Sequence, residues 1–315
     1  MPASGHMRYR LLLFGLPLAL AAGLLVHGAA TPAAPRALRI ATWNLEWLVD
    51  QNTARMARAA CRDARNSALP CDVVWDLSRD SADLSRLAAY AHRLDADVIA
   101  FQEVENTAIA RRVFRGYQIC LQSGPGLQKV GFALRPGLTR DCGRPLAALA
   151  VNSQGRAGLQ LTLTAGPGAI ELLVVHLKSG CAHDPLESAT EACRLLAAQA
   201  QVLGHWIAQQ SSLQVPFIVL GDFNRGGPPT GADPFWALLN PAAFRASSSE
   251  LPFANCSWGA PYRDFIDHIL VGQRLAAWLP ANAFSQLRFG RGDAARYLLS
   301  DHCPIGVSLN EAAAL

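Results

Sequence analysis

The chain has 315 residues, of which 51% are hydrophobic and 17% charged, and its formal net charge is +4. This length fits one large α/β domain, and no low-complexity linker divides it. Two basic residues and no acid lie in the N-terminal apolar segment. The other 26 basic residues, set against 24 acidic ones, leave a net charge of +2. So balanced a charge gives no independent support for a nucleic-acid partner.

The first thirty residues have the three parts of a secretory signal, namely a basic start, an apolar core and a small-residue cleavage site. These parts are Arg8 and Arg10, Leu11 to Val26, and Gly28 to Ala30. We predict a signal peptide over residues 1–30, a short spacer over 31–37 and one domain over 38–315. No later apolar run is long enough to cross a bilayer. We therefore expect an exported monomer, periplasmic or extracellular, without stable membrane association.

Eight cysteines lie beyond the proposed cleavage site. In an exported chain, an even number favours disulfides over zinc, and the absence of any CxxC spacing argues against a zinc ribbon or a redox pair. Spacing cannot fix the connectivity. Proximity along the chain favours Cys61 with Cys71, Cys120 with Cys142, and Cys181 with Cys193, leaving Cys256 with Cys303.

Short apolar runs of strand character recur along the chain. In order they are Leu38 to Trp43, Val98 to Phe101, Gly131 to Leu134, Leu159 to Leu163, Ile170 to His176, Phe217 to Leu220, Phe265 to Val271 and Cys303 to Ser308. Apolar residues at helical spacing predict helices over Ser81 to Leu94, Glu187 to Gln209 and Asp233 to Leu239. This alternation of strands and helices predicts stacked layers with sheets inside and helices outside.

Polar clusters lie at or just past several of these strands, where loops carry function. They are Thr42-Trp43-Asn44, Gln102-Glu103, His176-Leu177-Lys178-Ser179, Gly221-Asp222-Phe223-Asn224, Ile266-Asp267-His268 and Ser300-Asp301-His302. Individually, each has an ordinary structural interpretation, such as a turn asparagine or a core histidine. Together, their carboxylates and carboxamides suit a hard cation, and their histidines suit proton transfer.

In this order the clusters resemble the endonuclease/exonuclease/phosphatase superfamily, which includes deoxyribonuclease-I-like enzymes. The resemblance runs from Trp43-Asn44 to Asp301-His302, and Gly221-Asp222-Phe223-Asn224 and Ser300-Asp301-His302 are its most specific parts. It implies an α/β fold, a four-layer α/β/β/α sandwich with two mixed central sheets flanked by helices. It also implies metal-dependent hydrolysis of phosphoester bonds by in-line attack of water on phosphorus.

The resemblance assigns a role to each matching position. Metal ligands are Asn44, Glu103 and Asp301; catalytic residues are His176, Asp222, Asn224, Asp267 and His302; candidate substrate contacts are Lys129, Lys178 and Arg225. Lys178 and Arg225 have surface roles as alternatives, and His268 is expected to be structural. Strand alternation does not decide whether Glu46 faces the metal, so it is left out. The expected cofactor is Mg²⁺ or Mn²⁺, and Ca²⁺ is an option.

The substrate expected first is nucleic acid, because it is the commonest phosphodiester outside a cell. The alternatives are a phosphatase or phospholipase C-type enzyme acting on inositol phosphates or sphingomyelin, and an inactive binding module. No exposed apolar hairpin for membrane docking is evident. Phe265-Ile266-Asp267-His268 differs from the Trp-Cys-Asp-Arg motif of inositol phosphatase relatives. Trp258 is expected to border the cleft, as wall or as substrate contact.

Overall fold

The computed structural model describes residues 37–310 except 76, 140, 152–155, 166–167 and 257–262. The predicted signal peptide, nearly all of the predicted spacer, and Trp258 lie outside the described residues. The chain divides into Met1–Pro35 and Arg36–Leu315, and every described residue belongs to the second unit. No helix among the described residues is long and apolar enough to span a membrane.

Twelve strands are present in the described part of the chain. They are β1 Leu38–Leu48, β2 Val98–Val104, β3 Gln118–Leu121, β4 Lys129–Leu134, β5 Arg144–Leu146, β6 Gly158–Ala165, β7 Gly168–His176, β8 Phe217–Asp222, β9 Phe244–Ala246, β10 Asp267–Gly272, β11 Phe284–Gln286 and β12 Ile305–Leu309. They form two mixed six-stranded sheets, sheet A ordered β11-β12-β1-β2-β4-β3 and sheet B ordered β5-β6-β7-β8-β10-β9.

Seven α-helices accompany these strands in the same described ranges. They are α1 Gln51–Arg62, α2 Ser81–Leu94, α3 Thr107–Val113, α4 Glu191–Ser212, α5 Pro234–Leu239, α6 Gln273–Ala276 and α7 Arg291–Arg296. The bounds predicted for α2 are confirmed. Its start is fixed by Asp80, whose carboxylate accepts from the Asp83 backbone N–H in a capping box. Helix α4 begins at Glu191, four residues later than predicted, because Thr190 is its N-cap.

The strands are apolar on both faces because each sheet has packing on both sides. In β8, Ile218 and Leu220 belong to the core between the sheets. Phe217 and Val219 point the other way, into the cluster that includes α4 and α5. A third cluster packs α2 and α3 on the outer face of sheet A. The four-layer sandwich predicted from the sequence is confirmed.

All eight cysteines form the four disulfides that proximity favoured. The pairs are Cys61–Cys71, Cys120–Cys142, Cys181–Cys193 and Cys256–Cys303. Three of the bridges fasten a loop to a neighbouring helix or strand. The last one ties the segment before β10 to the residue that follows His302.

Candidate active site

Sheet B places three of the predicted catalytic residues side by side. His176 of β7 is the register partner of Asp222 in the parallel neighbour β8. Asp222 is in turn the partner of Asp267 in the antiparallel strand β10. Gly221 allows this close pairing: it has a φ of +141°, and an added Cβ would lie 2.0 Å from the Val175 carbonyl oxygen. The backbone there therefore requires glycine.

Sheet A contributes Asn44 and Glu103 from the parallel neighbours β1 and β2. The Asn44 Nδ2 donates to Glu103 Oε1 at 3.2 Å and to Asp222 Oδ2 at 3.0 Å, joining the acids of the two sheets. Glu103 and Asn224 both have positive φ, +62° and +49°. Left-handed backbone is costly for such residues and concentrates at functional sites.

Asp267 holds the imidazole of His302. The Nδ1 of His302 lies 2.6 Å from Asp267 Oδ2, and the ring is nearly buried. Burial opposes a charge on the imidazole, but the carboxylates of Asp267 and Asp301 outweigh it and raise the pKa of His302 well above its usual range. Ser300 positions this segment, because its hydroxyl donates to the Asn44 carbonyl and accepts from the His302 N–H. His302 is therefore held in one orientation, and its protonated form is favoured.

The surroundings of His176, in contrast, disfavour a charge on its imidazole. Its Nε2 lies 3.5 Å from both Glu103 Oε1 and Asp222 Oδ2. Burial, together with Arg156 and His302, lowers the pKa of His176 well below its usual range. Among the described residues, its Nδ1 has no hydrogen-bond partner. The ring is thus neutral and fits a hydrogen-bonding rather than an ionic role.

Asp222 lies at the centre of the cluster. Its Oδ1 accepts from the Asn224 N–H at 2.8 Å, and its Oδ2 accepts from the Asn224 Nδ2 at 3.1 Å. Burial raises the pKa of Asp222 to about 7, and among its neighbours His302 lowers it whereas Asp267 and Glu103 raise it. The positive charge around this buried carboxylate is therefore too small to offset the effect of burial on its ionised form.

The donor set fits a divalent cation. One ligand atom each from Glu103, His176 and Asp222 lie within 4.8 Å of one another, and Asp222, Asp267 and His302 form a second such group. Carboxylate oxygens are the ligands that hard cations prefer. A cation there would also favour the charged form of Asp222, which burial disfavours.

The structure adds Glu46 and Arg79 to the residues taken from the sequence. Glu46 lines the cavity with Asp301, and its Oε2 accepts from the Asp301 N–H at 3.0 Å. Burial, then Asp301, raises the pKa of Glu46 to about 7. Buried Arg79 donates to the carbonyls of Glu46 and Leu299 and lies 3.6 Å from the Glu46 carboxylate. Arg79 thus connects the two backbone segments that present these acids.

Arg156 is a second cation missed by the sequence analysis. Its guanidinium donates to the carbonyls of His176 and Leu177 and to Gln128 Oε1. Arg156 and Gln128 both line the cavity. No periodic pattern marked this arginine, which lies just before β6; its position depends on where β6 and β7 pair.

The three basic residues predicted to touch substrate are not among the residues that line the cavity. Lys129 Nζ donates to the Glu105 carbonyl, and Lys178 Nζ donates to the Ser179 carbonyl. Arg225 is buried, and it pairs with Asp233 at 2.7 Å and donates to the carbonyls of Cys181 and Asp184. These contacts fit positioning roles, whereas Arg156 lines the cavity. His268 is buried between the Ser248 hydroxyl and the Arg225 carbonyl, in keeping with a structural role.

The clustered residues line one open cavity of about 530 Å³. His183 lies at its edge, 3.7 Å from the Asp264 carboxylate. Trp47, Val73 and Leu77 form an apolar part of the wall. The cavity thus combines acids, three histidines and one guanidinium with room for a substrate.

The sequence model of the endonuclease/exonuclease/phosphatase family matches residues 41–302. The chain belongs to this family. Hydrolysis of phosphoester bonds with a divalent metal is the usual chemistry of this family, and the acid and histidine cluster agrees with it. No curated protein matched the chain by sequence.

Solved structures of this family share the fold at low sequence identity. D. rerio TDP2 complexed with single-strand DNA product is 20% identical, with 88% of this chain and 100% of that chain covered and a TM-score of 0.57. The human Nocturnin catalytic domain with bound sulfate is 15% identical, with coverages of 86% and 93% and a TM-score of 0.53. A mannosyl-6-phosphatase of Bacteroides thetaiotaomicron is 14% identical, with coverages of 86% and 99% and a TM-score of 0.52.

Proposed function

We propose that this protein is an exported phosphodiesterase that hydrolyses nucleic acid with Mg²⁺ or Mn²⁺, cutting within the chain and with little base preference. The observation that carries the proposal is the convergence of Glu103, His176, Asp222 and the Asp267–His302 pair on one open cavity. An inactive binding module would not need to retain each of these groups in contact with the others.

The chain's own residues supply position and proton transfer. Asp222, held by Asn44 and Asn224, orients the attacking water and takes its proton as the water oxygen bonds to phosphorus. His302 and His176 donate to the non-bridging phosphate oxygens, where negative charge builds up. The bond to the leaving oxygen breaks, and that oxygen takes a proton from solvent. The products are a phosphomonoester and an alcohol.

Glu103, Asn44 and Asp301 would hold the metal, with Glu46 beside them. A divalent cation held there would polarise a phosphate oxygen and neutralise charge on the leaving group. Arg156, with its guanidinium at the cavity wall, adds positive charge on the His176 side. This division leaves Asn44, Glu103 and Asp301 for the metal, and Asp222, His176 and His302 for the water and the phosphate.

Nucleic acid is favoured as substrate by the open cavity and by the DNA complex of TDP2, a protein of the same fold. A sugar phosphate is a further alternative, because a mannosyl-6-phosphatase has the same fold. Export is supported by the four disulfides, because such bonds persist in oxidising compartments.

The test is incubation of the oxidised protein, residues 31–315, with supercoiled plasmid and Mg²⁺. We expect nicked and then linear DNA, with activity lost in EDTA and in His302→Ala and Asp222→Asn. A matched control is Arg86→Ala, a surface change outside the cavity, which retains activity. Intact plasmid would overturn the proposal, and parallel reactions with mannose 6-phosphate, inositol phosphates and sphingomyelin would then identify the substrate class.

A further inference from the structure

Helix α1 and the loop that follows it form a basic surface beside the active-site cavity. Arg55, Arg58 and Arg62 recur at intervals of three and four residues, so they lie on one side of the helix. At 1.5 Å rise per residue, they extend over about 10 Å. Within the described chain, none of the three forms an ion pair with an acid. Their charge is therefore available to a ligand.

An exposed aromatic ring adjoins this row of arginines. Trp75 is 52% exposed, and the Arg58 guanidinium carbon lies 5.8 Å from the centre of its ring. Arg55 and Arg58 also line a separate surface cavity of about 400 Å³. The exposed indole and the arginines beside it place an aromatic ring and positive charge together.

The same loop forms the wall of the catalytic cavity. Val73 and Leu77, two residues before and after Trp75, line that cavity. Between them Val74 is buried against Ala54 and Ala57 of α1, and the Cys61–Cys71 disulfide ties the helix end to the loop. Trp75 is thus held at the border between the arginine row and the active site.

We propose that Arg55, Arg58, Arg62 and Trp75 form a platform that binds single-stranded nucleic acid next to the active site. The arginines attract the phosphates, and the indole stacks on an unpaired base. A single strand is favoured because its base faces are free, whereas those of a duplex are covered by neighbouring pairs. This inference rests on the proposed function and names its substrate more closely.

Charge and area favour a nucleic acid over a lipid surface. Residues 51–75 carry four arginines and two aspartates, and the exposed apolar side chains among them, Met56 and Trp75, are separated by arginine. Membrane docking needs a larger continuous apolar face. Stacking one base on one ring needs only the indole.

The platform is tested by fluorescence anisotropy with a labelled single-stranded oligonucleotide of about 12 nucleotides, in EDTA so that no cutting occurs. We expect Trp75→Ala to weaken binding about tenfold and Trp75→Phe to recover part of the loss, since one stacked base contributes about 1–3 kcal/mol. Arg55→Glu with Arg62→Glu should weaken binding further. It should also reduce the slope of log K against log salt concentration by about 1.4, because two phosphate contacts are lost.

The control is Arg111→Glu with Arg112→Glu, an equal charge change at exposed positions of α3 that do not line the catalytic cavity. It should bind as the native protein does. All variants are compared by circular dichroism and melting temperature, so that a folding defect is recognised. Native-like binding by both platform variants would overturn the proposal. Equal weakening by the control pair would do the same, because it would show general charge attraction only.

A further pair of outcomes separates the two proposals. Hydrolysis of bis(4-nitrophenyl) phosphate, which is too small to reach the platform, reports the catalytic cavity alone. If the native protein cuts this diester and plasmid, but the platform variants bind oligonucleotide normally, the platform proposal is wrong and the proposed function still holds. If the native protein binds oligonucleotide through the platform but cuts neither substrate, the proposed function is wrong and the platform proposal still holds. The native protein is also sedimented with anionic phosphatidylserine vesicles. If Trp75→Ala loses this vesicle binding but still binds oligonucleotide, the platform proposal is overturned.

Discussion

At the scale of single residues, the Asp267–His302 pair has the clearest measurable consequence. Asp267 raises the pKa of His302 against the effect of burial, so His302 stays protonated to higher pH. Removing the carboxylate in Asp267→Asn should lower that pKa, and with it the pH at which the protonated imidazole is lost. We expect the alkaline limb of kcat/KM for a small diester to move to lower pH. At neutral pH, kcat should fall about 10² to 10⁴-fold.

The measurement is a pH–rate profile of native and Asp267→Asn protein, with the His302 imidazole followed by NMR in parallel. His268→Gln serves as the control histidine change, because it lies outside the cavity. A profile that keeps its alkaline limb in place would show that His302 does not act through its charge.

Arg79 is the residue whose loss should cost most stability. Its guanidinium donates to the carbonyls of Glu46 and Leu299 in a buried position. In Arg79→Met these acceptors lose their donor, and we expect the free energy of unfolding to fall by about 3 kcal/mol. Urea denaturation measures this. Arg86→Met, at a partly exposed ion pair with Asp293, should cost less than about 1 kcal/mol; equal losses in the two variants would contradict the role assigned to Arg79.

At the scale of elements, the disulfides differ in what they hold. Cys303 directly follows His302, and its bridge to Cys256 fixes the segment that presents this imidazole. We expect Cys256→Ser with Cys303→Ser to lower stability by about 4 kcal/mol, from the entropy of a loop of this length, and to reduce kcat as well. Cys120→Ser with Cys142→Ser, which opens a bridge at β3, should lower stability while kcat of the folded protein is kept. Equal kcat in the two folded variants would contradict this difference.

The element scale also shows what sequence can and cannot predict. Strands with continuous apolar runs and helix α2 with its capping box carry strong local signals, and they were located correctly. Helix α1 was missed because its buried face consists of alanine, which contrasts weakly with its surroundings. Strands β5, β9 and β11 have three residues each, too few to show a period. Their existence depends on pairing with partners elsewhere in the chain.

The candidate site shows the same limit. Residues in motifs after strong strands were brought together as expected, because parallel neighbours end at the same edge of a sheet. Glu46 was left open because β1 is irregular: Glu46 and Trp47 have φ of +47° and +51°, which breaks the alternation of faces. Arg156 and Arg79 act through carbonyls of segments distant in sequence, and no local pattern encodes such contacts.

At the scale of the whole molecule, the concentration of acids predicts a metal-dependent stability. Glu46, Glu103, Asp222 and Asp301 line one cavity, and Asp267 adjoins it through His302. A divalent cation should therefore bind the folded state in preference to the unfolded one. At a concentration of 100 times Kd the gain is about 2.7 kcal/mol. We expect a melting temperature about 5–10 °C higher in Mg²⁺ than in EDTA. Calorimetry of native protein and Glu103→Gln tests this; a shift that persists undiminished in Glu103→Gln would place the cation elsewhere.

The place of β12 in sheet A determines when, during folding, the active site can form. Asp301 and His302 immediately precede β12, and β12 is an interior strand between β11 and β1 rather than an edge strand. The first residue of the cluster, Asn44, is therefore synthesised 258 residues before its last imidazole, that of His302. Asn44 and Asp222 can meet only after both sheets have formed and docked. On the proposed function, a chain in which β12 has not yet been inserted would lack a positioned His302 and would not hydrolyse phosphoesters.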